Sequence, residues 1–474
     1  MPTVTGEVDL EVFRRYAGIS LPRHVSYPMP NWWKEMGGAE AASMISGDAV
    51  CRGEHDLSLY LHIPFCEALC RFCACNKVIQ KHSTEGATQR TARYVAALRD
   101  DIRRVANLVE PRRPLRQIHY GGGSPLYLSD DQLASIHETL ADCFDIATDA
   151  EVSIEIDPRN ATPGRAQSLW RIGFNRISMG VQDFNADVQA HVRRIQPFEQ
   201  VRDVVSACRD AGFASINFDL IYGLPYQTPG TIRHTIEQAI ELGPDRVAYY
   251  HYAQIPDKIA TQRGIDHTKL PDSETKLEMF LVGHAVFEAA GYQFIGLDHF
   301  ARPDEGLAAA LNDGTIQRSF QGMTTGGGLH LLGAGVSAIS YLMGVGFLQN
   351  VKDTDGFTAR VEAGESPNER GIAFSFDDCV RQAVIHQLYC EARIRPETLE
   401  SRFDIVFADY FARELAIMSE LAADGLVTID AGGEIDVAFP LGRVLMRNVA
   451  AVFDAYLDPQ SYRFGEKVCF STNA

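Results

Sequence analysis

Positive charge is scarce in this 474-residue chain: 44 lysines and arginines stand against 62 aspartates and glutamates, a net charge of −18. That balance argues against a broad nucleic-acid or anionic-membrane footprint unless a local basic patch overrides the field. A cationic-then-apolar opening is lacking too, since Glu7, Asp9 and Glu11 come early, so no secretory signal peptide is expected. The implied setting is cytoplasmic and reducing, where the ten cysteines serve as metal ligands or buried thiols rather than disulfides. Residues 319–351 carry no Lys, Arg, Asp or Glu, but eight glycines and His330 interrupt them and no cationic flank orients them. A buried segment beside a ligand is expected there, not a membrane span. The 46% hydrophobic and 22% charged composition is globular, and the length allows two or three domains.

From about residue 56 to 296 a unit repeats: a short β-rich run, a loop, an amphipathic helix, then glycine. Ser129 and Gln132 form a capping box ahead of Leu133, Ile136 and Leu140. Thr162 and Pro163 read as an N-cap and a first helical proline, and Gly173, Gly212, Gly243 and Gly291 as helix stops. Apolar runs at 57–63, 116–120, 151–156, 175–179, 215–222, 246–250 and 292–296 give six or seven βα units. The alternation predicts a parallel sheet, closed or partly closed into a barrel, with ligands at the carboxyl ends of its strands. Those ends fall at 66–75, 121–124, Glu155 with Asp157, 180–183, 219–225 and 251–256.

Four segments follow: a covering segment at 1–52, the barrel at 53–300, a Gly-rich connection at 301–370 and a helical lid domain at 371–474. In the last, helices are expected at 376–390, 408–423 and 442–456, with a strand pair at 426–429 and 434–438.

Cys66, Cys70, Cys73 and Cys75 lie within ten residues, and thiolates packed so tightly select zinc or iron–sulfur. A structural zinc site wants two separated pairs, and no second C-x-x-C exists. C-x3-C-x2-C on one loop suits three corners of a [4Fe–4S] cube with the fourth iron open to a chelating substrate; Cys75 is either a fourth ligand or a nearby thiol. The cysteines at 51, 143, 208, 379, 390 and 469 read as small hydrophobes. The Gly121–Gly123 run is followed by neither G-x-G-x-x-G nor a Walker lysine, so nucleotide hydrolysis finds no support.

That spacing resembles the radical S-adenosylmethionine (SAM) superfamily. YLHIPFCEALCRFCACNK, YGGGSP, EVSIEIDPR, RISMGVQDFN, NFDLIYGLPYQT and GYQFIGLDHFARPDE resemble, within it, the oxygen-independent coproporphyrinogen III oxidase (dehydrogenase) family. So do FQGMTT, GAGVSAIS, LMRNVAAVFDAYL and the N-terminal LPRHVSYP, in the right order over nearly the whole chain.

The resemblance implies an α/β fold: a partial (β/α)6-type radical SAM barrel with an N-terminal strap and a small α-rich C-terminal domain. It implies a [4Fe–4S] cluster on Cys66, Cys70 and Cys73, and two SAM molecules. The first would be held by Tyr60, Phe72, Gly122, Glu155 and Ile339. The second would lie near Gly123, Ser124, Gln182, Arg194, Asp219 and Ala253. A 5′-deoxyadenosyl radical would take a β-hydrogen from each of two propionates of coproporphyrinogen III. Loss of CO2 and an electron would then leave the vinyls of protoporphyrinogen IX. Cys75, Arg23, His24, Gln321 and His330 are catalytic or substrate-site candidates. Arg23, Arg159, Arg176, Arg194, Arg302 and Arg318 are candidates for a local cationic pocket facing the tetra-anionic substrate.

A flavodoxin- or ferredoxin-like electron donor and a monomer are expected, without nucleic acid. Four positions depart from the family's usual pattern: Ser124 for threonine, Arg193 for asparagine, Met323 for tyrosine and His330 for aspartate. The rival readings are a same-fold radical SAM methyltransferase or cyclopropanase, and a non-catalytic heme-binding or heme-delivery protein.

Overall fold

A computed structural model describes residues 8–53 and 55–457, so Cys469 lies outside the described residues. The chain forms two compact units whose members interleave in sequence. One comprises Trp33–Asp219 and Gly326–Phe374; the other comprises the described residues up to Trp32, Leu220–Thr325 and the described residues from Ser375.

In the first unit the expected βα alternation is present. Strands β1 (Leu57–Ile63), β2 (Pro114–Gly122), β3 (Asp145–Ile156) and β4 (Arg176–Gln182) pair side by side, all parallel. Helices α1 (Ala87–Ala106), α2 (Asp130–Cys143) and α3 (Pro163–Ile172) separate them. Every residue of β1 is buried, as a strand covered on both faces requires. Helix α1 buries Tyr94, Leu98, Ile102 and Val105 on one face. The capping box of α2 forms in both directions, Gln132 N to Ser129 Oγ at 3.2 Å and Ser129 N to Gln132 Oε1 at 3.0 Å. Gly173 ends α3 at φ +119°, a conformation open to glycine.

The charge-poor run is not helical. It supplies strand His330–Ala334, parallel to β1, and then the antiparallel strands Ile339–Leu342 and Gly346–Asn350. No described helix is long and apolar enough to cross a membrane. The chain is an α/β protein whose first unit carries the expected parallel, partial barrel.

The second unit inserts a strand that the repeat does not predict. Gln293–Gly296 runs in the same direction as Arg246–His251, as a repeat strand would, but His299–Ala301 turns straight back from it and lies between the two, antiparallel to each. Only Leu297 and Asp298 separate the two runs, and a parallel return needs a dozen or more residues. Helices Phe376–Glu391 and Ala412–Ala423 lie at the expected places. The expected strand pair gains a third member, Arg393–Ile394, beside Ile435–Val437 and Val427–Ile429. The last expected helix breaks into Leu441–Val444 and Met446–Ala451, because Leu445 leaves helical geometry at φ −96° and ψ 23°. Phe13, Val384, Leu388, Phe411, Met418, Leu426 and Phe453 form the core.

Candidate cluster and cofactor site

The cysteine loop opens at the carboxyl end of β1 and is pinned at its base. Val78 N donates to Pro64 O at 2.7 Å and Gln80 N to Cys66 O at 2.8 Å. Lys77 Nζ donates to the carbonyls of Cys73 and Cys75, and Arg71 holds the carbonyls of His191 and Val192 through its side chain and amide. The contacts that pin this loop at its base run through its backbone and through Lys77 and Arg71, and leave the thiols of Cys66, Cys70 and Cys73 out. A hydrogen bond from Cys75 lowers the Cys73 thiol and raises that of Cys75; burial pushes Cys66 up to about 12. A thiol so raised gives up its proton only to a strongly bonding metal. Among the described residues no three His, Cys, Asp or Glu side chains gather round one point. What suits three corners of a cube is the C-x3-C-x2-C spacing on one loop.

Strand register builds the floor beside this loop. Tyr60 is in register with His119 and His119 with Ser153. With a period of two, Tyr60 and His62, His119 and Gly121, and Ser153 and Glu155 share one face. His62 Nε2 faces the Asn76 carbonyl at 2.9 Å, so that nitrogen carries the proton; Nδ1 accepts from Tyr60 Oη at 3.0 Å. His119 joins Ser153 Oγ at 2.6 Å and Glu155 Oε1 at 3.1 Å. Glu155 Oε2 accepts from Gly122 N at 3.1 Å. Burial alone would raise the Glu155 carboxyl, but His119 and the Gly122 amide hold it below the usual range. An ionised acceptor at a strand end suits an ammonium group.

The glycine run must be glycine for reasons of space. A Cβ on Gly122 would meet the His62 ring at 2.7 Å, and φ there is +114°. A Cβ on Gly123 would sit 2.5 Å from Pro64 O, and one on Gly121 would meet Glu155 Oε1 at 2.8 Å. The backbone therefore passes flat between the cysteine loop and Glu155, leaving a shallow cradle.

A second polar cluster adjoins Cys70. Arg194 Nη1 lies 3.1 Å from Asp157 Oδ2 and 3.5 Å from Cys70 Sγ, and Nη2 donates to Gly180 O at 2.6 Å. Arg159 grips the same Asp157 and reaches Cys70 Sγ at 3.4 Å. Arg194 Nε, Ser124 Oγ and Gln182 Oε1 are buried without a hydrogen-bond partner among the described residues. Orphaned buried groups of this kind mark where a polar ligand belongs. The thiol donors, the cradle and the orphans fit a [4Fe–4S] cluster and SAM.

Of the expected residues, the first unit thus brings together Tyr60, Gly122, Gly123, Ser124, Glu155, Gln182, Arg194 and the four cysteines. Phe72 sits half-buried on the cysteine loop. Asp219 accepts from Asn217 Nδ2 at 2.9 Å, and Ile339 opens the strand Ile339–Leu342.

His330 is not part of this group. It pairs with Leu57, at the opposite end of β1 from the cysteines. Its ring is satisfied by backbone, Nε2 to Ala49 O at 3.2 Å and Nδ1 from Met343 N at 3.0 Å. In the other unit Gln321 is an exposed hairpin-turn residue, and Ala253 O accepts from Gln262 Nε2. His24 is buried, bonded to Asp454 Oδ2 at 2.9 Å and Tyr389 Oη at 3.3 Å, so it fastens the strap to the C-terminal elements. Arg176 pairs with Glu151 and Arg302 is exposed, so neither contributes to a buried cationic group.

His62 and His119 were missed by motif reading. The signal was present as polar residues two apart in strands otherwise apolar, YLHI and IHYG.

Residues 60–239 match the Radical SAM superfamily model. The chain is 43% identical over 452 residues to oxygen-independent coproporphyrinogen III oxidase of Salmonella typhimurium, covering 95% of both chains. The Synechocystis enzyme of the same name is 40% identical over 465 residues, covering 97% of both. The solved structure of coproporphyrinogen III oxidase from Escherichia coli, described as a radical SAM enzyme, matches with TM-score 0.86 and 40% identity. That match covers 95% of this chain and 99% of the other.

Proposed function

We propose, because this chain belongs to the oxygen-independent coproporphyrinogen III oxidase family, that it decarboxylates two propionates of coproporphyrinogen III to the vinyls of protoporphyrinogen IX without oxygen. The chain is a radical SAM oxidoreductase of heme biosynthesis. The observation that carries the reading is C-x3-C-x2-C on a loop at a parallel strand end, beside an ionised Glu155 and a flat glycine cradle, in a chain about 40% identical to these oxidases over 95% of its length.

When bound, the cluster and SAM supply the one-electron chemistry that removes hydrogen from the propionate. The protein's share is placement. Cys66, Cys70 and Cys73 would hold three irons and leave the fourth to SAM. Glu155, fixed by His119 and Gly122, would accept from the SAM ammonium and so fix the distance over which the electron passes. Ser124, Gln182 and Arg194 offer unused donors and acceptors for a second SAM. A small electron-transfer protein of the flavodoxin or ferredoxin class would reduce the cluster, and the cytoplasm would be the site of action.

The test is anaerobic turnover of the reconstituted protein with coproporphyrinogen III, SAM and a low-potential reductant, following tetrapyrrole mass and 5′-deoxyadenosine together. Loss of two CO2 units with matching deoxyadenosine is expected. Deoxyadenosine with unchanged tetrapyrrole would sink the substrate and favour a same-fold enzyme with another one.

A further inference from the structure

We propose that Arg23 and Arg447 in the wall of one pocket, with Arg318 beside them over the wall residue Tyr389, form a carboxylate-binding site for a propionate arm of the tetrapyrrole, an assignment that rests on the function proposed above. The pocket lies within the unit that holds the strap and C-terminal elements. Arg23, Tyr222, His251, Asp298, Tyr389 and Arg447 are among its walls. The Arg318 guanidinium lies 5.1 Å over the Tyr389 ring, with Nη1 3.9 Å from Asp298 Oδ1. Arg447 is 7% exposed and the Arg318 side chain 8%.

Guanidiniums outnumber carboxylates here. Asp298 is the one acidic residue in the wall, and its Oδ1 is already engaged by His299 Nδ1 at 2.6 Å. Arg318 Nε and Nη1 and His251 Nε2 are buried with no hydrogen-bond partner among the described residues. Burial and then Arg23 bring Arg447 down to about 9, and burial with Lys276 holds His251 well below the usual histidine range. Arginines so placed repel one another and have lost water, a cost that a ligand carboxylate gripped by two forks would offset. The remaining walls are Phe280, Leu297, Val444 and Arg443 with two tyrosine rings. Apolar side chains and guanidiniums lining one pocket match the two ends of a –CH2–CH2–COO⁻ arm. The methionine carboxylate of SAM shares that chemistry, so the test separates the two.

Arg318→Gln and Arg447→Gln are compared with the parent for coproporphyrin III affinity by fluorescence titration, SAM stoichiometry by equilibrium dialysis, and anaerobic turnover. The expected result is at least about a tenfold rise in Kd for coproporphyrin III, with SAM stoichiometry unchanged. Arg318→Lys keeps the charge without the fork and should fall between. A purely structural arginine would lower the Tm of the ligand-free protein on removal; removing a repelled one leaves Tm level or raised. Parent-like porphyrin affinity in both folded Gln variants overturns the assignment while parent turnover leaves the function standing. Loss of a SAM equivalent instead of porphyrin affinity also overturns it. A parent that neither binds coproporphyrin nor consumes coproporphyrinogen overturns the function and the assignment together.

Discussion

Arg193 sits at φ +57°, ending the helix Ala186–Val192 in left-handed geometry. Its departure from asparagine is therefore first a backbone matter, since asparagine tolerates that region and a longer side chain strains in it. Arg193→Asn is expected to stabilise the protein by about 1 kcal/mol, read from urea midpoints. Gly122 is the opposite case. Gly122→Ala drives a methyl into the His62 ring and should abolish the SAM-induced change in the EPR spectrum of the reduced cluster, with iron still loaded. His330 contributes to stability through titration. Burial brings it to about 4 from 6.5, so its stabilisation is full above pH 6.5 and is lost as pH falls towards 4. The expected size is about 2 kcal/mol. The drop in Tm between pH 7 and 5 should be smaller in His330→Gln than in the parent.

Among the elements, helix α1 is tied to the charge-poor strands by one fully buried carboxylate. Asp101 Oδ2 accepts from Gly335 N at 2.9 Å and Asn350 Nδ2 at 3.2 Å, while Oδ1 accepts from Arg104. Asp101→Leu strands those donors, so a loss of about 3 kcal/mol is expected by chemical denaturation. The helices and the first parallel strands were legible because the periodicities 3.6 and 2 are written in the chain. The strand His299–Ala301, inserted between Arg246–His251 and Gln293–Gly296, was not legible, because an apolar run specifies a strand and not its neighbour.

For the whole molecule, the cysteine loop is anchored by Lys77, Arg71 and its base strands, with Cys70 also held by Arg159 and Arg194, so iron is not its main tether. Removing iron with a chelator should therefore abolish SAM binding while far-UV circular dichroism stays unchanged; global unfolding on chelation would refute this.

What the sequence alone determined is chemistry that neighbours in the chain can express: the cysteine spacing, the glycine run, the βα alternation and the family. Tertiary structure decided what depends on residues far apart. It put His119 against Glu155, sent His330 to the opposite end of β1 from the cluster, and brought Arg23 and Arg447 into one pocket with Arg318 close to Arg447. Spacing along a strand fixes which face a side chain takes, but only packing fixes which distant charge it meets.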